Sequence, residues 1–280
     1  MIIWLASYPK SGNTWIRSFL SSYYYTKDGS FNFDLLKNIN QYPNKEFFDQ
    51  RITFPGEISK YWKISQEKII RNKKNIFLKT HNSLLSLNNF NFTSSKYTKG
   101  AIYILRDPRN VLTSLKNHYS LSYNEALKFM ISDKKYIYDN RDNNKNDYST
   151  FHFLSSWSNH YKSWTKTDLF PKLIIKYEDL VAEPNKTFKE VIDFVNEISQ
   201  LEKNNDEFKF KNALLNTNFK KLQLLEKNNK FTENVYSKEN SKINFFNLGP
   251  NNNWENQLTN EIKIKANELF FEDIKNLNYI

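Results

Sequence analysis

A short polar segment near the start of the chain carries the residues best suited to bind a phosphate group. It follows the apolar run 2–6 and consists of Lys10, Ser11, Gly12, Asn13 and Thr14. The apolar residues beyond it have helical spacing, so a strand, a loop and a helix start are predicted. Backbone N–H groups at a helix start carry partial positive charge, and the segment is therefore predicted to bind an anion.

The order of these residues differs from that of a P-loop that hydrolyses nucleoside triphosphates. That loop reads G-x-x-x-x-G-K-[ST], with a lysine directly before the hydroxyl residue. Gly12 and Thr14 fit the pattern, whereas Ser7 replaces the first glycine and Asn13 replaces the lysine. The lysine lies inside the loop, at Lys10. The anion-binding turn is kept, but the lysine that grips β- and γ-phosphates beside magnesium is missing.

Two other segments place reactive side chains at the ends of predicted strands. His81 and Arg106 each follow a short apolar run, and Ser114 lies further along the helix predicted after Arg106. In open α/β sheets the carboxyl ends of the strands face the ligand crevice. A histidine there can take a proton near neutral pH, and an arginine offers a planar fork to a phosphate.

Apolar patterning predicts the elements that hold these side chains. Four short runs predict buried strands, at residues 2–6, 76–78, 101–105 and 173–175. Helical spacing recurs at residues 14–24, 108–119, 123–132, 151–164, 185–195 and 261–271. This alternation is typical of a parallel sheet with helices on both faces, a three-layer α/β fold. Residues 134–146 and 228–244 are rich in Asn and Lys and are predicted to be loops.

Composition limits the class of protein. The chain has 280 residues and no cysteine. Its length suits one domain over residues 1–280, and no linker divides it. The lack of cysteine excludes disulfides and thiolate chemistry and suits a reducing compartment. Without a signal-peptide pattern or a membrane-length apolar run, a cytoplasmic protein with no stable membrane insertion is expected.

The formal net charge of +11 is spread along the chain. Basic stretches such as 71–75 and 227–230 are typical of solvated loops, and no nucleic-acid-binding module accompanies them. Nucleic acid is therefore not expected as a partner, whereas a small polyanion would be steered by this charge. His118, His152 and His160 lack the spacing of metal ligands, so no metal is predicted.

The sequence YPKSGNTW at residues 8–15 resembles YPKSGTTW, the first motif of the PAPS-dependent sulfotransferases. That family also carries Lys-Thr-His, as at residues 79–81 here, and Arg-x-Pro-x-x-x-x-x-Ser, as from Arg106 to Ser114. The motifs follow the family order as far as Trp254. The resemblance implies a P-loop-kinase-like fold and the transfer of a sulfonate from PAPS to an acceptor hydroxyl or amine.

The resemblance also implies roles for individual residues. Lys10 would stabilise the leaving phosphate, and His81 would be the general base toward the acceptor. The other residues would bind the nucleotide: Ser11, Gly12, Asn13 and Thr14 at the 5′-phosphate, Arg106 and Ser114 at the 3′-phosphate, Trp15, Thr217 and Phe219 at the adenine, Tyr177 along the nucleotide, and Gly249 in a covering loop.

The C-terminal motif departs from the family pattern. Its glycine and tryptophan keep their spacing, at Gly249 and Trp254. Asn247 and Leu248 replace the basic pair that binds the 3′-phosphate in the family. Asn252 replaces the second glycine, and Glu255 replaces the last lysine. Lys238 and Lys242 lie just upstream and are candidate substitutes for the lost cations.

Two other functions stay open, a P-loop-type kinase of a nucleotide or small metabolite and a PAP- or PAPS-binding protein without catalysis. The acceptor is not determined and could be a carbohydrate, a lipid, a phenol or another metabolite. Its pocket is expected to be built from residues 31–62 and the loop 134–146. The short dimer motif of the family is not preserved around residues 255–264, so no dimer is inferred.

Overall fold

The computed structural model of the chain describes residues 1–71, 75–139, 147–200, 206–228, 231, 235–236 and 242–279. The strands are β1 (Ile2–Ser7), β2 (Ile76–Thr80), β3 (Ser86–Leu87), β4 (Phe90–Asn91), β5 (Thr98–Leu105), β6 (Tyr136–Ile137), β7 (His152–Phe153), β8 (Lys172–Lys176), β9 (Val235–Tyr236) and β10 (Lys242–Ile243). The α-helices are α1 (Asn13–Tyr25), α2 (Trp62–Ile70), α3 (Pro108–His118), α4 (Tyr123–Ile131), α5 (Trp157–Thr165), α6 (Tyr177–Ala182), α7 (Pro184–Ser199), α8 (Glu207–Thr217), α9 (Phe219–Lys227), α10 (Trp254–Gln257), α11 (Asn260–Leu269) and α12 (Phe271–Asn276). Short 3₁₀-helical turns cover Phe33–Asn38, Lys45–Phe47, Glu57–Tyr61 and Gly249–Asn251.

Four parallel strands form the central sheet, in the order β2-β1-β5-β8. β1 lies inside the sheet, with Ile3 aligned to Phe77 on one side and to Gly100 on the other. Because the strands are parallel, their carboxyl ends lie at one edge of the sheet. The residues that follow β1, β2 and β5 therefore meet at that edge. The remaining strands form three antiparallel pairs, β3–β4, β6–β7 and β9–β10.

Successive side chains of β1 enter two different cores, because a strand alternates its side chains between its faces. Trp4 and Ala6 pack in a core that includes buried residues of α3, α4, α5, α11 and α12. Ile3 and Leu5 pack in a second core, with residues of α1, α7 and α8. Helices therefore cover both faces of the sheet, which confirms the three-layer α/β fold predicted from the sequence.

The four predicted strands are all present, each extended by one to three residues. The helix predicted over residues 151–164 is wrong at its start, because His152 and Phe153 form β7. α5 begins only at Trp157, after the cap Ser156, whose hydroxyl accepts a hydrogen bond from the Asn159 N–H. α6 begins directly after β8 and has no counterpart in the sequence prediction.

Both predicted loops contain short strands where the structure describes them. Residues 134–139 include β6, and residues 140–146 lie outside the described ranges. The loop predicted at residues 228–244 lies largely outside them too, with β9 and β10 in its described part. None of the helices in the described ranges has both the length and the apolar character needed to cross a membrane.

Candidate active site

A cavity of about 940 Å³ lies at the carboxyl edge of the sheet. It collects most of the residues that the sequence predicts for the site, namely Lys10, Gly12, Asn13, Thr14, Trp15, His81, Arg106, Ser114, Tyr177, Phe219 and Gly249. Ser11 and Thr217 are not among its lining residues. The Ser11 hydroxyl is buried with no hydrogen-bond partner among the described residues, and the Thr217 hydroxyl donates to the Ala213 carbonyl within α8, at 2.7 Å. The structure therefore does not bring the Thr217 side chain to the site.

The loop after β1 has a backbone that few residue types adopt. Gly12 has a φ of 98° and Lys10 a φ of 69°, both in the left-handed region. A Cβ at Gly12 would also lie 2.4 Å from Cδ2 of Tyr177. Both the backbone and the Tyr177 ring therefore require glycine at this position. A lysine with positive φ is strained, and such strain is typical of functional loops.

The first turn of α1 is left without a side-chain cap. The helix begins at Asn13, and its N-cap Gly12 has no side chain that could accept a hydrogen bond. Asn13 and Thr14 both line the cavity. The Trp15 N–H donates to the Gly12 carbonyl at 3.0 Å, whereas the first N–H groups of a helix have no partner within it, so the Asn13 and Thr14 end of this turn is suited to bind an anion. The predicted strand, loop and helix start are present, and phosphate binding by them stays a prediction.

Arg106 is a buried cation whose hydrogen bonds go to neutral groups. Nη1 donates to the Lys10 carbonyl at 2.9 Å and to the Ser114 hydroxyl at 3.3 Å, and Nη2 donates to the Gly249 carbonyl at 3.4 Å. Its Nε is buried and has no hydrogen-bond partner in the part of the chain that the structure describes. The guanidinium lies 4.1 Å from the centre of the Tyr177 ring.

Burial lowers the pKa of Arg106, the nearby carboxylates of Glu178 and Asp107 act in the opposite direction, and no carboxylate in the described part of the chain accepts a hydrogen bond from its side chain. A desolvated charge of this kind is costly unless a counter-charge is supplied. A bound phosphate would supply it, through the planar fork that suits arginine. The orphaned Nε and the neighbouring Ser114 hydroxyl therefore fit the predicted 3′-phosphate site.

Lys10 extends its ammonium into the cavity. Nζ lies 3.4 Å from Nδ1 of His118 and 3.8 Å from the centre of the Phe245 ring. The Lys10 carbonyl accepts from Arg106, so the same residue anchors the arginine and presents a second cation. His118 follows Ser114 by one helical turn on α3, which is why both reach the cavity.

His81 has a defined tautomer. Its Nδ1 lies 2.8 Å from the Ser7 carbonyl, which can only accept, so the proton is on Nδ1. Nε2 then carries a lone pair, and no residue in the described ranges hydrogen-bonds to it. Burial and, to a smaller extent, Lys79 and His152 lower the pKa of His81 well below its ordinary value. The side chain is therefore a neutral base at physiological pH.

Asn13, the one departure from the family's first motif, supports this histidine from behind. Its Nδ2 donates to the Leu5 carbonyl at 3.0 Å and to the Ser7 hydroxyl at 3.2 Å. The same hydroxyl lies 3.3 Å from Nδ1 of His81. Asn13 thus links the start of α1 to the end of β1 and to the base, a connection that sequence spacing alone does not reveal.

The sequence motifs gave no role to several of the cavity residues, and three of these lie beside the predicted base. Gln41, Lys79 and His152 line the cavity close to His81. Lys79 stands two residues before His81, and this spacing places both on the same face of an extended segment. His152 reaches the site only through the β6–β7 pair, where it is aligned with Ile137, and no local sequence signal predicts that.

Lowering the pH below about 6.5 is expected to destabilise the fold through two buried histidines. Burial lowers the pKa of His152 to about 3 and that of His160 to about 4, from an ordinary value of 6.5. The unfolded chain therefore takes up these protons first. This contribution to stability is complete above pH 6.5 and is lost as the pH falls toward 4, with a slope of about 1.4 kcal/mol per pH unit for each histidine.

Urea unfolding of the wild type and of His160→Gln between pH 7.5 and pH 4.5 measures this effect. His160 accepts from the Tyr103 hydroxyl at 2.9 Å and donates to the His81 carbonyl at 3.0 Å, so the variant loses stability at every pH. The informative quantity is the slope of the free energy of unfolding against pH, which we expect to be shallower in the variant by about 1.4 kcal/mol per pH unit. Equal slopes in the two proteins would contradict the assignment.

Aromatic residues form the other end of the cavity. The rings of Trp15 and Tyr177 meet edge to face, with centroids 6.0 Å apart. A Cβ on Gly249 would lie 2.2 Å from Cε2 of Phe219, so only glycine allows the covering loop to pack on that ring. Trp15 and Phe219 both line the cavity, and an adenine held between them stays a prediction.

The residues that replace the family's basic pair also line the cavity. Asn247 and Leu248 are exposed at its edge. Asn252 is buried and donates to the Ser114 hydroxyl at 3.1 Å, while Thr113 donates to its side-chain oxygen at 2.8 Å. Asn252 therefore adds a neutral amide beside Arg106 where the family has glycine. The candidate substitutes fall outside what is described, Lys238 entirely and Lys242 in its side chain.

A parallel α/β sheet with an uncapped helix start and a buried arginine at one cavity is an arrangement suited to bind a phosphorylated ligand. The chain belongs to the sulfotransferase family, since residues 2–278 match the family described as "Sulfotransferase domain". Membership of this family makes the chain a PAPS-dependent sulfotransferase, which confirms the activity predicted from the sequence. Among curated protein sequences, none matches the chain significantly.

Solved structures with the same fold include mouse sulfotransferase SULT7A1 complexed with PAP. It is 21% identical, with a TM-score of 0.56 over 98% of this chain and 85% of that chain. Retinol dehydratase in complex with androsterone and inactive cofactor PAP is 16% identical, with a TM-score of 0.61 over 98% and 80%. Retinol dehydratase in a complex with retinol and PAP is also 16% identical, with a TM-score of 0.57 over 98% of this chain and 81% of that chain. At these identities the likeness shows the shared P-loop-kinase-like fold.

Proposed function

We propose that the cavity at the carboxyl edge of the sheet is where a sulfonate passes from PAPS to a hydroxyl or amine of the acceptor. The observation that carries this proposal is the convergence of Lys10, His81 and Arg106 on one cavity. These three residues come from three different strand ends, and each is of the type that its step requires. The orphaned Nε of Arg106 and the uncapped first turn of α1 support binding of a phosphorylated nucleotide there.

The donor side of the cavity binds and polarises the nucleotide. Bound PAPS supplies an activated sulfonate and leaves as PAP. The uncapped first turn of α1 holds the 5′-phosphate, and Arg106 with Ser114 holds the 3′-phosphate. The Lys10 ammonium stabilises the negative charge that grows on the leaving phosphate. Its ring contact with Phe245 keeps it directed into the cavity.

His81 acts on the acceptor. Its Nε2 carries the lone pair, because the Ser7 carbonyl holds the proton on Nδ1. The acceptor oxygen forms the new S–O bond, and the S–O bond to the phosphate breaks with its electron pair. The acceptor proton passes to Nε2 of His81, which makes the attacking oxygen a better nucleophile. Asn13 and Ser7 position the ring and take no part in proton transfer.

Calorimetric titration with PAP, followed by incubation with ³⁵S-labelled PAPS and a cell extract, tests the proposal. We expect PAP to bind and the label to appear in an acceptor. Binding of ATP with strict magnesium dependence and no affinity for PAP would favour the kinase alternative. Binding of PAP without label transfer to any acceptor would favour the non-catalytic alternative. The family assignment supports sulfonate transfer over both.

The preference for PAP over AMP is expected to be modest, within about tenfold. At the predicted 3′-phosphate site, Arg106 is a buried cation beside the neutral side chains of Ser114 and Asn252. The family's basic pair is missing, and each charge-assisted hydrogen bond lost with it is worth about 1.5–3 kcal/mol. The double variant Asn247→Arg/Leu248→Lys should raise the affinity for PAP by tenfold or more, on the order of one such bond, and leave AMP binding unchanged. Calorimetry with both nucleotides measures this preference.

A control for added charge is the pair Asn256→Arg/Leu269→Lys, which adds the same two charges at exposed positions that do not line the cavity. It should change PAP and AMP binding equally. A wild-type preference for PAP of several hundredfold, or no gain from the double variant, would contradict the assignment of the 3′-phosphate site.

Several other expectations remain proposals. We infer that the acceptor is a small molecule, a carbohydrate or a lipid, and that nucleic acid is not a partner. Cytoplasmic location is supported by a chain without cysteine, which suits a reducing compartment. A reaction without metal is inferred from chemistry that needs only positioning and the charges of the side chains. The oligomeric state is left open.

A further inference from the structure

We propose that the acceptor is a polyhydroxylated molecule of the carbohydrate class rather than a flat apolar alcohol. The proposal rests on the sulfonate transfer proposed above and concerns the part of the cavity beyond His81. The cavity-lining residues within 41–45, 137–139 and 147–152, which leave out Tyr42, Tyr148 and Phe151, form that part, and we call them the acceptor wall.

The acceptor wall is tied directly to the end of β2 where His81 lies. Gln41 forms a parallel bridge with Lys79, two residues before the base. The Gln41 amide lies 3.0 Å from Nε2 of His152, and the His152 ring lies 6.1 Å from the His81 ring. The β6–β7 pair places Ile137 opposite His152. The acceptor wall is therefore continuous with the end of β2 that carries the base.

Side chains on the first stretch of the acceptor wall have unused hydrogen-bonding atoms. The Gln41 amide is half-buried, and its nitrogen contacts His152, which leaves its oxygen to accept from a ligand. Asn44 is half-buried and Lys45 is exposed, and neither side chain is hydrogen-bonded within the described ranges. This stretch therefore offers both acceptors and donors to a ligand.

Asp147 and Thr150, in the last stretch of the acceptor wall, provide a carboxylate and a hydroxyl. Oδ1 of Asp147 accepts from the Ser149 N–H at 3.0 Å, so Oδ2 is left for a ligand. The Thr150 hydroxyl accepts from the Asp139 N–H at 2.9 Å and keeps its own proton to donate. A sugar presents several hydroxyls that both donate and accept, and such groups match this set of atoms.

Apolar surface on the acceptor wall is limited. Pro43 and Ile137 are its aliphatic residues, and Tyr138 is its one aromatic ring without a charge-bearing nitrogen, among the residues that the structure describes. Tyr138 is 39% exposed, and a ring of this kind packs against the C–H face of a sugar. The phenylalanines of the cavity lie elsewhere, with Phe219 and Phe246 packed around Leu222 and Phe231.

A flat apolar acceptor would fit this surface poorly. It would remove water from the Gln41, Asn44 and Asp147 side chains without returning hydrogen bonds, and unpaired buried polar groups are costly. A site built to hydrogen-bond hydroxyls discriminates strongly against an analogue that lacks them. We therefore expect kcat/KM for a suitable sugar to exceed that for a flat phenol by about 10²-fold or more.

The reaction on a sugar is the transfer already described. A sugar hydroxyl oxygen bonds to sulfur, the S–O bond to the leaving phosphate breaks with its electron pair, and the hydroxyl proton moves to Nε2 of His81. The products are a sugar sulfate ester and PAP.

The experiment uses the full chain with two sets of probes. Maltotriose, lactose and chitobiose represent the sugars, and 2-naphthol and androsterone represent flat apolar alcohols. Saturation-transfer NMR on the PAP complex detects binding, and ³⁵S-labelled PAPS detects transfer. We expect binding of and transfer to at least one sugar, with far weaker use of both apolar alcohols.

Variants then locate the contacts. Asp147→Ala and Asn44→Ala should each raise KM for the active sugar by about tenfold, roughly one lost hydrogen bond, with PAP affinity unchanged. Asp168→Ala is the matched control, since its side chain is 99% exposed and does not line the cavity. Thermal melting of each variant shows whether it is folded, and the two single variants act on different stretches, so failure of one to fold leaves the other informative.

The outcomes separate this proposal from the one on which it rests. Transfer to 2-naphthol or androsterone with none to sugars overturns the acceptor proposal and leaves sulfonate transfer standing. PAP binding with neither probe set bound also overturns the acceptor proposal. Lack of PAP binding together with lack of transfer overturns the proposed function itself. A KM effect of Asp168→Ala equal to that of Asp147→Ala overturns the assigned contact.

Discussion

Replacing Lys10 by methionine is expected to lower kcat by about 10²–10³-fold while the fold is kept. Methionine keeps most of the length of the side chain and removes the charge. The Lys10 ammonium reaches into the cavity, where it lies against Phe245 and His118. Its charge is needed most when negative charge grows on the leaving phosphate, so its loss acts on the transition state more than on ground-state binding. Lys10→Ala should behave similarly.

Steady-state kinetics with labelled PAPS, together with calorimetry with PAP, measure the effect. We expect kcat to fall far more than the affinity for PAP. Lys27→Met is the matched control, because Lys27 is exposed and does not line the cavity. Near-normal turnover in Lys10→Met would refute the assigned role, and a large loss of PAP affinity with unchanged kcat would reassign Lys10 to binding.

Replacing His81 by alanine is expected to lower kcat by about 10²–10⁴-fold, the range that general-base catalysis contributes. Nε2 of His81 is the atom available to take the acceptor proton, because Nδ1 donates to Ser7. Added imidazole should restore part of the activity by occupying the space of the lost ring. Wild-type-like rates in His81→Ala would show that another group takes the proton.

The pH profile provides a separate test of His81. Burial, with Lys79 and His152, lowers the pKa of this histidine well below 6.5. A base works only when unprotonated, so activity is expected to be constant from about pH 8 down to about pH 6 and to fall at lower pH. A base with the ordinary pKa would lose half its activity near 6.5. A rate that falls already between pH 7 and 6 would contradict the lowered pKa.

The pH dependence of activity overlaps with the pH dependence of fold stability, because protonation of His152 and His160 is predicted to destabilise the fold over the same acidic range. Activity should therefore be measured at pH values where the circular dichroism signal is unchanged. A fall in rate that precedes any loss of structure reports on the base. A fall that coincides with unfolding reports on the buried histidines instead.

Local sequence patterns were enough to predict the framework. The run 2–6 and the polar turn after it predict a strand, a loop and a helix, and β1, the loop and α1 follow that order. The same holds for β5 and α3, where Asp107 caps the helix by accepting from the Arg109 N–H. Such features depend on neighbouring residues, so a single sequence contains the information for them.

The failures of prediction have a common cause. The segment 151–164 has helical spacing throughout, yet its first residues pair with Tyr136 and Ile137 as β7. α6 follows β8 without a break and buries Tyr177 against Gly12, a contact between residues far apart in the chain. In both cases a partner distant in sequence decides the local structure, and periodicity does not carry that information.

The sequence by itself determined the class of fold, the strand-loop-helix unit that is predicted to bind an anion, and the identity of the lysine, histidine and arginine at the strand ends. Only the tertiary structure decided that Lys10 lies against Phe245, that the Ser7 carbonyl selects the tautomer of His81, and that the Asn13 amide is buried behind the loop. It also decided that Thr217 turns its hydroxyl into α8 and that a polar wall extends the cavity beyond the base. The physical reason is that bonding partners, burial and pKa depend on which distant segments pack together, whereas strand and helix starts depend on neighbours along the chain.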